Sequence, residues 1–307
     1  VRIDLQIGVG FQSQGDPLAG RVKLAIPTGS LQEAVLSIFR DAGYEMNLQP
    51  RSYRPQTNDD EIWVKMLRPQ EIPLLVEEGV YDVGVSGMDW VVESGAKVER
   101  LLDLQVGRFS IVLAVNEDSP AKTPADLAKL KDVRISTEYV RLTKSFLRKL
   151  GISNANVHFS WGATEAKPPE EADAIVDGFE TGATLAQNRL RVVGKVMDSS
   201  AWFFANPRSL KDAWKKRKID GMKIMLSGAI MARGKVLLKL NVPAGKLDEI
   251  ARMVPAMEKP TISKLYGEDW YALETVAGKK DLVQLIPRLK EAGAKDIIEY
   301  DLKKVIP

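Results

Sequence analysis

From Arg21 onward, short β-branched runs alternate with segments whose apolar residues recur at helical spacing, and this restricts the chain to an α/β architecture. RVKLAI, beginning at Arg21, predicts a strand, and Leu31, Ala34, Val35 and Ile38 then share one face of a helix ending near Gly43. IWVKML (Ile62 to Leu67), a helix through Ile72 and Val76, and YDVGVSG (Tyr81 to Gly87) continue the alternation. A mostly parallel sheet covered on both faces follows, with ligands expected at the C-terminal ends of its strands.

A second set of strands begins at SIVLAV (Ser110 to Val115). A Pro124-initiated helix, VRIST, a helix with Leu142, Phe146 and Leu150, and NVHFSW come next. The segment from Arg191 to Pro207 is expected to return the chain to the first set, giving two α/β lobes with a cleft between them. The last third has another order. VLLKLNV, a helix from Pro243 to Met253, TISKLY, WYALETV, a helix from Lys279 to Glu291 and DIIEYDL spell β-α-β-β-α-β, a ferredoxin-like unit, with Pro287 predicting a kink or early break in its second helix. The expected division is an N-terminal extension over 1–20, lobe I over 21–107 and 192–230, lobe II over 108–191, and a C-terminal module over 231–307.

The chemistry concentrates in DAIVDGFETGATLAQN, Asp173 to Asn188. Asp173 to Gly178 reads as a strand, and a spacing of four puts Asp173 and Asp177 on one face, where carboxylates accept hydrogen bonds from vicinal sugar hydroxyls. The following Thr181-Gly182-Ala183-Thr184 turn lets backbone N–H groups converge ahead of a helix, a cradle for phosphate. Strand, glycine turn and helix also occur as plain structure in any α/β protein; the two in-phase acids are what point to a sugar phosphate.

Composition narrows the chemistry further. Cysteine is absent, which excludes disulfides, thiolate metal sites and cysteine nucleophiles, and the single histidine, His158, sits in a strand-like stretch between Val157 and Phe159. A net charge of +3, from 44 basic and 41 acidic side chains, provides no field to recruit nucleic acid or an anionic membrane, and Lys215 to Lys218 reads as a solvated helix face. No apolar run reaches the roughly 20 residues of a membrane span and residues 1–20 have no signal-peptide pattern, so a cytoplasmic location is expected.

DAIVDGFETGATLAQN, GVYDVGVSGMDW (Gly79 to Trp90), RPQEIP (Arg68 to Pro73) and the tail segment LLKLNVPAGKLDEIARMVPAMEKPTISKLY together resemble the long form of the ATP phosphoribosyltransferase family, and the likeness runs from Arg21 to Pro307. The resemblance implies two periplasmic-binding-protein-like lobes and an ACT-like regulatory domain, commonly assembled as a homo-hexamer. The reaction it implies opens histidine biosynthesis: adenine N1 of ATP attacks the anomeric carbon of phosphoribosyl pyrophosphate, pyrophosphate leaves, Mg2+ is required, and histidine inhibits.

Carried onto this sequence, the resemblance has Asp173 and Asp177 hold the ribose hydroxyls while Glu180, Thr181, Gly182, Ala183 and Thr184 wrap the 5-phosphate. Arg51 is its catalytic arginine beside Asp177; Gly29, Ser30, Leu31, Arg68, Gly87 and Asp89 lie on the ATP side; and Asn241, Met257 and Thr261 match effector positions. It assigns no metal ligand. Arg68 has a second reading, pairing with Glu71 at a helix start. After the first strand, Thr28-Gly29-Ser30-Leu31 stands where the family often has Lys-Gly-Arg, so the backbone of Gly29 and Ser30 is left to meet a phosphate, with Ser30 expected to cap the next helix. Asn241 replaces an acid found in some relatives. The alternative to an enzyme is a two-lobed binding or sensor protein without turnover.

Overall fold

A computed structural model describes residues 18, 20–49, 52–255 and 259–307. The first lobe is built from β1 (Val22–Pro27), α1 (Gln32–Asp41), the short pair β2 (Met46–Asn47) and β3 (Gln56–Thr57), β4 (Ile62–Leu67), α2 (Ile72–Glu78), β5 (Val83–Gly87), α3 (Met88–Ser94) and β6 (Glu99–Asp103). The second lobe contains β7 (Phe109–Asn116), β8 (Val133–Thr137), α4 (Val140–Lys149), β9 (Ala155–Phe159), β10 (Ala174–Phe179), α5 (Ala183–Gln187) and β11 (Leu190–Ser199). β12 (Ala201–Ala205) and α6 (Ala213–Ala232) return to the first lobe. The C-terminal module comprises β13 (Lys235–Pro243), α7 (Leu247–Met253), β14 (Thr261–Lys264), β15 (Trp270–Gly278), α8 (Leu282–Glu291) and β16 (Lys295–Asp301).

Apolar runs without polar interruption demand cover on both faces, and both lobes supply it. The first sheet, ordered β4-β1-β5-β12-β6, packs Phe39 and Ile38 of α1 and Met222 and Leu226 of α6 on one face, and Ile72, Val76 and Val91 of α2 and α3 on the other. The second sheet, ordered β11-β7-β10-β8-β9, is covered by Leu142 and Leu147 of α4 on one side and Leu185 of α5 on the other. The sheets are mixed: β1 runs parallel to β4 and β5, and β10 to β8, while β12 and β11 run antiparallel to their neighbours. Two chain crossings join the lobes, and they pair with each other: Leu104 N–H donates to the Ala201 carbonyl and Ala201 N–H to that of Val106, each at 2.9 Å.

The crossing back to the first lobe comes later than the expected residue 192. β11 pairs antiparallel with β7 as far as Ser199, and Val193, Val196 and Met197 pack on the second lobe's core, so 192–199 belong to that lobe. The C-terminal sheet is ordered β14-β15-β13-β16 and wholly antiparallel, the ferredoxin-like arrangement that the β-α-β-β-α-β order predicts. Pro287 does not break α8, which continues to Glu291. Proline removes the bond to the carbonyl four residues back, and Val283 there is 79% exposed, so the lost bond falls on a solvent-facing part of the helix. Among the described residues no helix is long and apolar enough to cross a membrane.

Candidate active site

β10 ends at the cleft between the lobes, and the segment after it forms one wall. Gly178, Phe179, Glu180, Thr181, Gly182, Thr184 and Leu185 line a cavity of about 430 Å³ with Phe109 and Tyr139 of the same lobe; Ser30, Leu31, Pro69, Gln70, Asp89, Trp90 and Gly107 close it from the other side. Gly182 is the N-cap of α5 at φ +79°, and a Cβ there would meet the Phe179 ring at 2.8 Å, so both conformation and space demand glycine. Ala183 opens the helix, whose first-turn N–H groups have no acceptor within it. A second chamber of about 680 Å³ shares Phe109, Phe179 and Glu180 with the first and adds Arg108, Asp103 and Asp198.

The in-phase acids part company. Asp177 immediately precedes the lining residues; its Oδ1 accepts the Gly178 N–H at 2.7 Å, and burial, reinforced by Glu165 and Glu138, pushes its carboxyl up to about 6. Asp173 is not at the cleft. Although it shares a face with Asp177, four residues of strand separate them by roughly 13 Å, and Asp173 precedes β10 at its far end. Arg134 claims it: Nη2–H donates to Oδ1 at 2.9 Å, Nε–H to Oδ2 at 3.2 Å and the backbone N–H to Oδ2 at 2.8 Å. The remaining guanidinium N–H groups reach the carbonyls of Glu170 and Pro169 at 2.9 and 3.2 Å. The Arg134 hydrogen bonds hold the Asp173 carboxyl below the usual carboxylate range. Of the two acids expected at the site, only Asp177 therefore lies beside the cleft, because periodicity gives the face of a strand but not the end.

On the opposite wall, Gly87 ends β5 and caps α3, and a Cβ on it would lie 2.0 Å from the Asp89 Oδ1. Gly87 thus makes room for the Asp89 carboxylate, which is 1% exposed and accepts the Ser199 hydroxyl at 2.6 Å across the lobe boundary. Burial raises the Asp89 carboxyl, opposed by the Ser199 and Tyr139 hydroxyls. Gly107, at φ +58°, leaves the space that the Leu31 side chain occupies, 2.1 Å from where a Cβ would stand.

Other expectations shift in detail. Gly29, at φ +80°, opens a 3-10 turn over Gly29–Leu31, and this turn displaces the start of α1 to Gln32; Ser30 makes no side-chain cap and instead lines the cleft. Arg68 is exposed beside the lining residues Pro69 and Gln70, and its backbone N–H, rather than its guanidinium, bonds the Glu71 carboxylate at 3.2 Å. Arg51 and Met257 lie outside the described residues. In the C-terminal module Asn241 Nδ2–H donates to Asp296 Oδ2 at 2.9 Å, while Thr261 is exposed on β14, two strands away from β13.

Sequence reasoning missed the aromatic part of the site. Trp90 stacks on Tyr139 with ring centroids 4.7 Å apart, joining the lobes, and Phe109 and Phe179 divide the two chambers. Trp90 closes the GVYDVGVSGMDW motif and could have been singled out; Tyr139 and Phe109 carry no signal in sequence, since each becomes part of the site only when the lobes meet.

The comparisons with known proteins agree with one another. The family described as "HisG: ATP phosphoribosyltransferase" matches residues 68–228, and "HisG, C-terminal domain" matches residues 232–304. An ATP phosphoribosyltransferase of Pelotomaculum thermopropionicum is 46% identical over 292 residues, covering 94% of this chain and 100% of the relative. That of Chlorobium phaeobacteroides is 45% identical over 296 residues, covering 95% and 99%. Among solved structures, the ATP phosphoribosyl transferase (HisG:HisZ) complex from Thermotoga maritima shares the fold, with a TM-score of 0.57 and 24% identity over 67% of this chain and 98% of that one. This chain belongs to the ATP phosphoribosyltransferase family, in the long form that carries the C-terminal domain.

Proposed function

We propose that the interlobe cleft is where this enzyme joins adenine N1 of ATP to the anomeric carbon of phosphoribosyl pyrophosphate, the opening step of histidine biosynthesis. One observation carries the assignment: the turn built from Thr181, Gly182 and Thr184 faces the Gln70, Asp89 and Trp90 wall across one cavity, and Asp177 immediately precedes its lining residue Gly178. The turn receives the 5-phosphate on its backbone N–H groups and the hydroxyls of Thr181 and Thr184. Asp177 accepts a hydrogen bond from a ribose hydroxyl, and the lobe I wall takes the purine. The two adjoining chambers, which share Phe109, Phe179 and Glu180, give space for two phosphorylated substrates.

Displacing pyrophosphate from a ribose passes through an oxocarbenium-like state and needs no protein nucleophile. A chain without cysteine and with one histidine is adequate, because alignment and charge stabilisation carry the reaction. The carboxylates at the cleft stabilise positive charge developing on the pentose. Arg51 and the exposed Arg68 are the cations proposed for the substrate phosphates.

The donor set fits magnesium of one kind. Among the described residues no group of three or more metal-ligating side chains converges, and Mg2+ is commonly held by one or two carboxylates together with substrate phosphates. Glu180, common to both chambers, is the carboxylate that would hold it, and bound Mg2+ supplies charge neutralisation for the departing pyrophosphate. In the C-terminal module, the Asn241–Asp296 pair, with Met257 and Thr261, is the proposed histidine-sensing region, and hexamer formation and a cytoplasmic location accompany the reading.

The test is turnover: ATP, phosphoribosyl pyrophosphate and Mg2+ incubated with the protein, following the ultraviolet absorbance of the N1-alkylated adenine. Absorbance rises with the intact chain and falls sharply with Asp177→Ala. Full activity in that variant would remove Asp177 from the site, and no turnover by the intact chain would leave a two-lobed binder.

A further inference from the structure

α3 belongs to the first lobe and reaches the second through Asp89, Trp90 and Glu93. Asp89 meets Ser199 and Trp90 stacks on Tyr139, and both contacts border the cleft. One turn further, Glu93 reaches the start of α4, where its Oε1 accepts the Arg141 N–H at 2.9 Å and its Oε2 the Leu142 N–H at 2.8 Å. These amides are in the first turn of α4, whose N-cap Tyr139 makes no side-chain cap. A carboxylate from the other lobe therefore performs the work normally done by a Ser or Asp immediately before the helix.

The local geometry is arranged around this contact. Gly95 ends α3 at φ +67°, and a Cβ on it would lie 2.0 Å from the Arg141 guanidinium, which crosses there toward the Ser94 carbonyl. Tyr139 is in turn tied to the strand of Asp177: the Thr137 hydroxyl accepts the Tyr139 N–H at 2.9 Å and donates to the Val176 carbonyl at 2.7 Å. Val176 immediately precedes Asp177. A continuous path of short contacts thus runs from Glu93 through the start of α4 to Tyr139, and from Tyr139 to β10.

We infer that Glu93 is a positioning residue: by capping α4 from the opposite lobe it sets the Tyr139–Trp90 contact and hence the register of the lobe I wall against the loop after β10. The inference rests on the proposed division of the cleft, with ATP on one lobe and phosphoribosyl pyrophosphate on the other. Glu93 touches neither cleft chamber, so its loss leaves each half-site intact and disturbs only their mutual alignment. Misalignment of reacting atoms lowers kcat with little effect on the binding of either substrate.

The test uses the full-length E93A and E93Q variants, with amide hydrogen exchange and steady-state kinetics measured on each. In E93A the Arg141 and Leu142 amides should exchange roughly tenfold faster, kcat should fall roughly tenfold to a hundredfold, and the dissociation constants for ATP and phosphoribosyl pyrophosphate should stay within about twofold. E93Q keeps one of the two acceptor oxygens and sets its amide N–H2 against the other backbone N–H, so it should recover part of the lost kcat. Wild-type exchange at these two amides in E93A, an unchanged kcat, a parallel loss of both substrate affinities, or an E93Q variant as impaired as E93A would each overturn the inference. The exchange measurement needs no substrate, so its result stands apart from the site assignment: full activity in Asp177→Ala would sink that assignment while accelerated exchange in E93A still showed the clasp.

Discussion

Replacing Asp177 with asparagine should make the protein more stable and less active. In the folded chain, burial pushes the Asp177 carboxyl up to about 6, against an ordinary value near 3.8, a rise of roughly two pH units. Each such unit corresponds to about 1.4 kcal/mol, so ionised Asp177 costs the fold at most about 3 kcal/mol, and partial exposure of the side chain reduces this to about 1–2 kcal/mol. The sign follows from proton counting. Between about pH 4 and 6 the unfolded aspartate has lost its proton while the folded one retains it, so stability falls as pH rises through this window and the cost is complete above it. An asparagine amide in its place does not ionise in this range. Denaturant unfolding should show D177N more stable than wild type by about 1–2 kcal/mol at pH 7.5, with the advantage gone by about pH 4. Turnover of D177N should fall by one to two orders of magnitude, as expected for loss of a charge-assisted hydrogen bond to substrate. A D177N variant less stable than wild type at pH 7.5, or a stability difference independent of pH, would refute the reasoning.

Three further substitutions separate structural from substrate roles. Asp173→Asn should lower Tm modestly and leave the KM for phosphoribosyl pyrophosphate unchanged, since its partner is Arg134; a raised KM would return it to the site. Gly182→Ala should cost about 1–2 kcal/mol for the left-handed backbone alone and, by displacing Phe179, raise the KM for phosphoribosyl pyrophosphate; wild-type kinetics would show that the turn does not meet the phosphate. Asp82→Ala should destabilise by about 3 kcal/mol in denaturant unfolding, because it strands Lys215 and breaks bonds to Ser209 and the Lys23 N–H that join α6 to the first sheet; a loss near zero would show that packing alone holds that helix.

The alternation of periods made the lobes and the ferredoxin-like module readable, because a buried strand and an amphipathic helix write different hydrophobic rhythms into the chain. IWVKML emerged as β4 with both ends as expected, and Val22–Pro27 lies within one residue of the strand anticipated there. The crossing between lobes was not readable. β11 and β12 are separated by a single residue, Ser200, and only their partners show that one lies in the second sheet and the other in the first. The glycine turn announced itself locally, since Gly182 and its flanking threonines need no distant residue to be recognised. The Arg134 fork on Asp173 spans 39 residues of sequence, and the Trp90–Tyr139 stack needs two lobes brought together. Pairings of that range leave no periodic trace, so the sequence suggested two equivalent acids where the fold has one in a structural ion pair and one beside the cleft.

The central claim is that the pentose phosphate is held by the Thr181–Thr184 turn with Asp177 within hydrogen-bond reach of a ribose hydroxyl. Its most direct measurement is an electron-density map of the protein with phosphoribosyl pyrophosphate and Mg2+ bound. The 5-phosphate should lie against the N–H groups at the start of α5, with Asp173 still clasped by Arg134. Density for the sugar phosphate at another place in the molecule, with the turn facing only solvent, would contradict the account.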